Sequence, residues 1–561
     1  MASAFNRKKA PRGAILFSLL VIFSMVLVAC GGTSGNNQTG QKNKVLTIVP
    51  GPNGDFTKNF GPYATGNDPG TLGMIYETLL FVNLLDGKAQ PWLASDYKVA
   101  DDAKSVTFTL RQGVKWSDGQ PFTSDDVLFT FQMLKQYPAA DSHALWSLIQ
   151  SVAAPDANTF KITLKQPYTP IVYFAGGQTY IVPKHIFQSV GDPTKFLNTD
   201  NPVGTGPYTV KSFTPQLVVY KKNPNYWQPG KPEIEELHYP SYNSNTSVEL
   251  DLDKGDIDWS GLYTPKIEQT YVARDPVHHH YWFPAGNTVM LYLNLTKEPF
   301  SNVTVRQAIS AAINRDQISK NAESGYAATA HLSGLVMPNH QTFMSPDYAN
   351  LSNAQDVAKA QQLMASAGYT KGSDGFYVGK DGKPFDFKLN VVTGWTDWVT
   401  TCQVIADNLK QIGIKATVTP LSFNDYFAKQ QNGTFDMSIS WTDGGPTPFY
   451  LYNDLLNSKN TAPIGTAAPT NWERWKDSST DQLLSQFAST NDEAAQKQAI
   501  AGIQKIMVEK VPAVPLFYGP IWSESNTARF TGFPDKNNAF ASPAPFHYPD
   551  AEVVVLNLKS V

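Results

Sequence analysis

Two periods of hydrophobic and polar positions run through this chain. Val45-Leu46-Thr47-Ile48-Val49 and Val106-Thr107-Phe108-Thr109-Leu110 predict strands, the second with the strict alternation of a half-buried one. Trp116-Ser-Asp-Gly-Gln-Pro121 reads as a turn. After it, Thr123-Ser-Asp125-Asp126 opens a helix over DDVLFTFQMLKQ, with its acids near the positive end of the helix dipole. Thr304 to Ile318 predicts an amphipathic helix with Val305, Ala308, Ile309, Ala312 and Ile313 on one face. Phe387–Val392 and Phe435–Ser440 read as strands. Thr400 to Ile412 reads as a helix that stops at Gly413, with a β-branched strand from Lys415 following. A late helix, Asp492 to Lys510, closes at Val511-Pro512 and leads into a strand over Ala513–Phe517. Alternation of this kind predicts an α/β fold, and 561 residues predict two or three lobes.

The first thirty residues follow a different pattern. Arg7, Lys8, Lys9 and Arg12 precede an uncharged apolar run from Ala14 to Val28, too short for a membrane span of about 20 residues. This suits a signal peptide. Leu27-Val28-Ala29-Cys30 resembles the bacterial lipobox, which implies cleavage before Cys30 and lipidation of its thiol. An ordinary signal peptide with an incidental cysteine, or an N-terminal anchor, remains open. Residues 31–44 hold no hydrophobic side chain and read as a flexible tether. The expected division is 1–29 signal peptide and 30–44 lipidated cysteine with tether.

Composition narrows the function classes. Residues 1–29 carry four of the 45 basic and none of the 48 acidic residues, so the remainder has a net charge of −7. That argues against nucleic acid as a partner. Cys30 and Cys402 are the two cysteines. With Cys30 lipidated, no disulfide is expected, and Cys402 reads as a buried, inert thiol. Aromatics make up 12% of the chain, enough for a core and an aromatic-walled site. No HExxH, GxSxG or P-loop motif occurs, so neither an enzyme nor a bound cofactor is expected. His278-His279-His280 invites a metal reading. Consecutive residues of an extended chain face opposite ways, so at most two converge, and no metal site is expected.

Several segments resemble family 5 of the bacterial extracellular solute-binding proteins, the peptide, nickel and oligosaccharide receptors of ABC importers. They are Gln90-Pro-Trp-Leu-Ala-Ser-Asp96 with VTFTLRQGVKWSDGQPFTSDDVLFTFQML, Pro202-Val-Gly-Thr-Gly-Pro-Tyr208 with KKNPNYWQPGKPEIEEL, Leu293-Asn294-Leu295 with PFSNVTVRQAISAAINRDQI, and ADNLKQIGIKATVTPLSFNDYFAKQQNGTFDMSISW. They fall in the family's order. The resemblance implies a two-lobed periplasmic-binding-protein-like fold of type II. Lobe I would be 45–295 plus 516–561, with an extra subdomain at about 92–200, and lobe II would be 296–515. Crossovers near 293–295 and 514–516 would form the hinge. The implied function is capture of an oligopeptide-class solute and delivery to ABC permease subunits from the outer face of the membrane. An oligosaccharide of the cello-oligosaccharide kind is the alternative. A surface sensory or adhesive role is a third reading.

Three stretches are candidates for the cleft. In Ser440-Trp441-Thr-Asp443-Gly444-Gly445-Pro446-Thr-Pro448-Phe449-Tyr450, the resemblance implies that Asp443 pairs with a peptide ammonium. The alternative is a turn residue capping Gly444-Gly445. The loop is shorter than that of peptide receptors, and its Pro-Thr-Pro segment is similar to oligosaccharide-binding members. Trp395 and Trp398 are expected either to stack on ligand or to pack in the core, with Asp397 capping a helix. Asn59 and Phe60 form a third candidate wall or part of the lobe's packing.

Overall fold

The computed structural model describes residues 44–442 and 444–561. The apolar N-terminal run, Cys30, most of the tether and Asp443 lie outside the described residues.

Val45–Val49 forms the expected strand, with Leu46, Ile48 and Val49 buried, and pairs in parallel with both Glu236–Pro240 and Trp259–Ser260. These strands belong to a seven-stranded sheet that also holds His279–Tyr281, Glu524–Asn526, Leu217–Lys222 and Tyr208–Thr214. A second, five-stranded sheet carries Asp386–Val392 in parallel with Lys415–Leu421 and Met437–Ser440, beside Ala285–Leu293 and Val514–Pro520. A third, four-stranded antiparallel sheet spans Ala94–Val99, Ser105–Leu110, Ile149–Asp156 and Thr159–Leu164. Ser105–Leu110 shows the alternating burial its sequence predicts. Next to it, Ser124–Gln136 is helical, and the Asp126 carboxylate accepts the Thr123 backbone N–H at 3.0 Å.

The chain passes from the seven-stranded to the five-stranded sheet through residues 282–284 and returns through 521–523. The sequence placed these passages at 293–295 and 514–516. Ala285–Leu293, apolar and buried from Val289 on, and Val514–Pro520, buried almost throughout, instead pair with each other inside the five-stranded sheet.

A second correction concerns Thr304 to Ile318. The helix covers Val303–Ala312 and ends with Ile313 extended, and a short helical turn restarts at Arg315. The five apolar residues are all fully buried, as their spacing predicts. The break arises because Asn314 donates its N–H to Asn408 at 2.8 Å, and Arg315 turns inward to donate to the carbonyls of Pro515, Ser310 and Asn353. The helix at 396–411 starts four residues before Thr400, and Gly413 follows it at φ +77°. Cys402 is buried within this helix, and burial holds its thiol well above the usual range. Gly204 is a close-approach glycine, since a Cβ there would sit 1.9 Å from the Ile75 carbonyl oxygen.

Candidate ligand-binding site

A cavity of about 750 Å³ opens where the two larger sheets face each other. Several of its wall segments follow parallel strands. Residues 50–53 follow Val45–Val49, and 261–263 follow Trp259–Ser260. Trp395 and Trp398 come after Asp386–Val392, and Trp441, Thr442 and 444–446 come after Met437–Ser440. Open α/β sheets place ligands at the carboxyl ends of their strands.

Three tryptophans form one side. Trp395 and Trp398 stand edge to face at 5.1 Å between ring centroids, and Trp441 lies 6.3 and 6.1 Å from them. Phe423 extends the group, 6.0 Å from Trp395. The loop carrying Trp441 is pinned at its start. Tyr292 donates its hydroxyl to the Trp441 carbonyl at 2.9 Å, and the Thr442 hydroxyl donates to the Thr288 carbonyl at 3.0 Å. On the far side Tyr450 meets Tyr173 at 4.5 Å and Phe174 at 5.2 Å, so the loop's helix touches the segment that follows the four-stranded sheet.

The cavity holds no fixed positive charge among the described residues that line it: none is Lys or Arg. Its three histidines, His143, His340 and His547, are pushed down to about 4 by burial and are neutral at neutral pH. Asp86, Asp397 and Asp454 also line it. Burial pushes Asp397 up to about 7, against the opposing pull of the Trp398 N–H, its own N–H and the Asn245 side chain.

Of the residues singled out in the sequence, Trp395, Trp398, Trp441, Gly444, Pro446 and Tyr450 come together on this wall. Phe449 does not. It is buried in the core, stacked on Phe487 at 5.0 Å, because the helix Pro448–Leu456 turns it away from its neighbour Tyr450. Asn59 and Phe60 are corrections too. Asn59 braces its own loop, donating to the Thr65 carbonyl at 3.0 Å and accepting from Gly61 at 3.1 Å. Phe60 packs edge-on against Phe213 and Tyr220 inside the first sheet's core. Tyr263, Asn245, Asn287, Trp522 and the three histidines line the cavity and were not foreseen. Tyr263 follows a strand end, the cue that located the tryptophans, but that strand is two residues long and leaves no pattern. The histidines stand isolated in sequence and carry no signal.

The histidine triplet diverges, His278 closing a turn and His279 opening the strand His279–Tyr281. His279 stacks on Tyr271 at 4.1 Å and bonds its carbonyl, while His278 pairs with Asp275 at 2.7 Å. Among the described residues, no three His, Cys, Asp or Glu side chains gather as a metal site would require.

Two facing α/β lobes joined by two passages, with a walled cavity between them, define a type II binding-protein fold. The profile of the bacterial extracellular solute-binding proteins, family 5, matches residues 88–463, and the chain belongs to this family. It is 29% identical over 401 residues to the nickel-binding periplasmic protein of Escherichia coli, covering 68% of this chain and 72% of that one. The glutathione-binding protein GsiB of the same organism is 27% identical over 467 residues, covering 80% and 84%. Among solved structures, the mannohexaose-bound periplasmic oligopeptide-binding protein of Thermotoga maritima superposes with a TM-score of 0.86 at 26% identity, over 93% of this chain and 99% of the other. No helix among the described residues is long and apolar enough to cross a membrane.

Proposed function

We propose that this chain is the substrate-binding subunit of an ABC importer, taking an oligopeptide-class solute between its lobes and delivering it to the membrane permease. The observation that carries the reading is the cavity of about 750 Å³ walled from both sheets, of a size that encloses a small oligomer. In this reading residues 44–281 with 524–561 act as one lobe and 285–520 as the other, and 282–284 and 521–523 are the hinge. The 441–446 loop and the tryptophans are the ligand wall, and the chain carries out no catalysis. Cys30 is the point of lipid attachment, holding the protein on the outer face of the membrane; two or more acyl chains give stable anchoring where one does not.

An oligosaccharide is the second reading. The three-tryptophan wall suits sugar rings, and the Thermotoga relative was solved with mannohexaose. Native mass spectrometry of the processed chain, offered short random peptides and separately manno- and cello-oligosaccharides, decides between them. A one-to-one peptide complex supports the first reading, and a sugar complex replaces it with the second. Retention of neither rejects solute capture. In the native host, Cys30→Ser is expected to leave the protein unprocessed or released from membranes. A mature N-terminus elsewhere than Cys30 contradicts the anchor.

A further inference from the structure

Beneath the tryptophans lies a carboxyl group that the protein's own atoms do not complete. Asp397 is the second residue of the helix Thr396–Gln411 and lines the cavity at 5% exposure. Among the described residues, its Oδ1 has no hydrogen-bond partner. Glu323, from the turn after Ile318–Ala322, faces it, fully buried, with Oε2 equally unpartnered among the described residues. A hydroxyl bond from Thr401 to Oε1, long at 3.4 Å, is its one side-chain support. From the other lobe Tyr263 faces the pair, its hydroxyl 2.6 Å from Ser324 Oγ, with Glu249 behind it. Asn245, also from that lobe, reaches the Asp397 carboxylate. None of these groups is a cation.

Burying a carboxylate without a countercharge costs several kcal/mol, so such a group keeps its proton unless a cation arrives. Burial and the charge of Asp397 push Glu323 well above the carboxylate range, and Asp397 itself stands at about 7. A protein that needed only a helix cap here would expose the aspartate to water. Instead it is buried in a cavity also lined by Trp395, Trp398 and Trp441, whose ring faces favour cations. The other ionisable residues on the described wall are acids or neutral histidines, which favours a positive group further.

We propose that Asp397, backed by Glu323, receives a cationic nitrogen of the ligand, an ammonium or guanidinium, and that its capture displaces to water the proton the carboxyl pair would otherwise hold. This rests on the solute-binding reading and narrows its ligand to one bringing a positive charge. A sugar hydroxyl does not do the same, because it accepts from a protonated acid as readily as it donates to an ionised one.

The test is calorimetry of the processed chain at pH 5.5, 7 and 8 with three probes. These are a tetrapeptide amide with one amino-terminal lysine, its acetylated glutamine counterpart, and mannohexaose. The cationic peptide is expected to bind about tenfold more tightly at pH 8 than at pH 5.5, with proton release seen as a buffer-dependent heat, while the neutral probes stay flat. Asp397→Asn is expected to weaken the cationic peptide about tenfold or more and abolish its pH dependence. Glu323→Gln, which leaves Asp397 in place, is expected to move the pH midpoint downward. A cationic peptide bound equally by wild type and Asp397→Asn, or neutral probes bound more tightly than the cation, overturns the inference and leaves solute capture standing. Binding of none of the three by the wild type removes the solute-binding reading and the inference with it.

Discussion

At the scale of the residue, Asp397 ties stability to function. Its ordinary carboxyl range lies near 3.8 and its folded value near 7, so the folded state holds a proton the unfolded state loses. The native chain therefore binds more protons between those values, and its stability falls as pH rises from about 4 to 7. Asp397→Asn should remove this loss and raise stability at pH 8 by on the order of 2 kcal/mol, read from urea unfolding. A variant less stable than wild type at pH 8 contradicts the assignment. The tryptophans were legible at this scale because they follow strand ends with helical spacing. Asp397 was legible only as a helix cap. The sequence shows a short acid at a helix start, and nothing in it shows that Glu323, 74 positions away, shares its burial.

Among the elements, the break after Val303–Ala312 carries the clearest prediction. Arg315 is 2% exposed and donates to Pro515 at 2.7 Å, Ser310 at 3.0 Å and Asn353 at 3.3 Å. It fastens the helix to the strand that leads back to the first lobe. Arg315→Met leaves one buried and two half-buried carbonyls short of a donor and should destabilise the chain by about 2–4 kcal/mol in the same unfolding measurement. Periodicity located this helix and its buried face, and missed its end, because Ile313 continues the apolar stripe. What ends the helix is a donor–acceptor match with Asn408 and Pro515, both distant in sequence. Phe449 failed for a related reason: Phe449 and Tyr450 are equivalent as letters, and the helix from Pro448 sends one to the core and the other to the cavity.

Across the whole molecule, the two lobes meet at glycines that leave no room for a side chain. Gly394 has φ +88°, and a Cβ there would lie 2.6 Å from the Asn243 carbonyl oxygen of the other lobe. Gly394→Ala should weaken ligand capture about tenfold while leaving each lobe's core intact, through backbone strain and a blocked approach. An unchanged affinity places closure elsewhere. The resemblance in the sequence conveyed the family and two lobes. The passages at 282–284 and 521–523 were hidden, since an apolar run reads the same whichever sheet it joins. Closure of these lobes around a solute is the central claim, and small-angle scattering of the processed chain, with and without a ligand retained in native mass spectrometry, tests it directly. The radius of gyration should fall on binding, whereas an unchanged radius with the ligand verified as bound contradicts capture by closure.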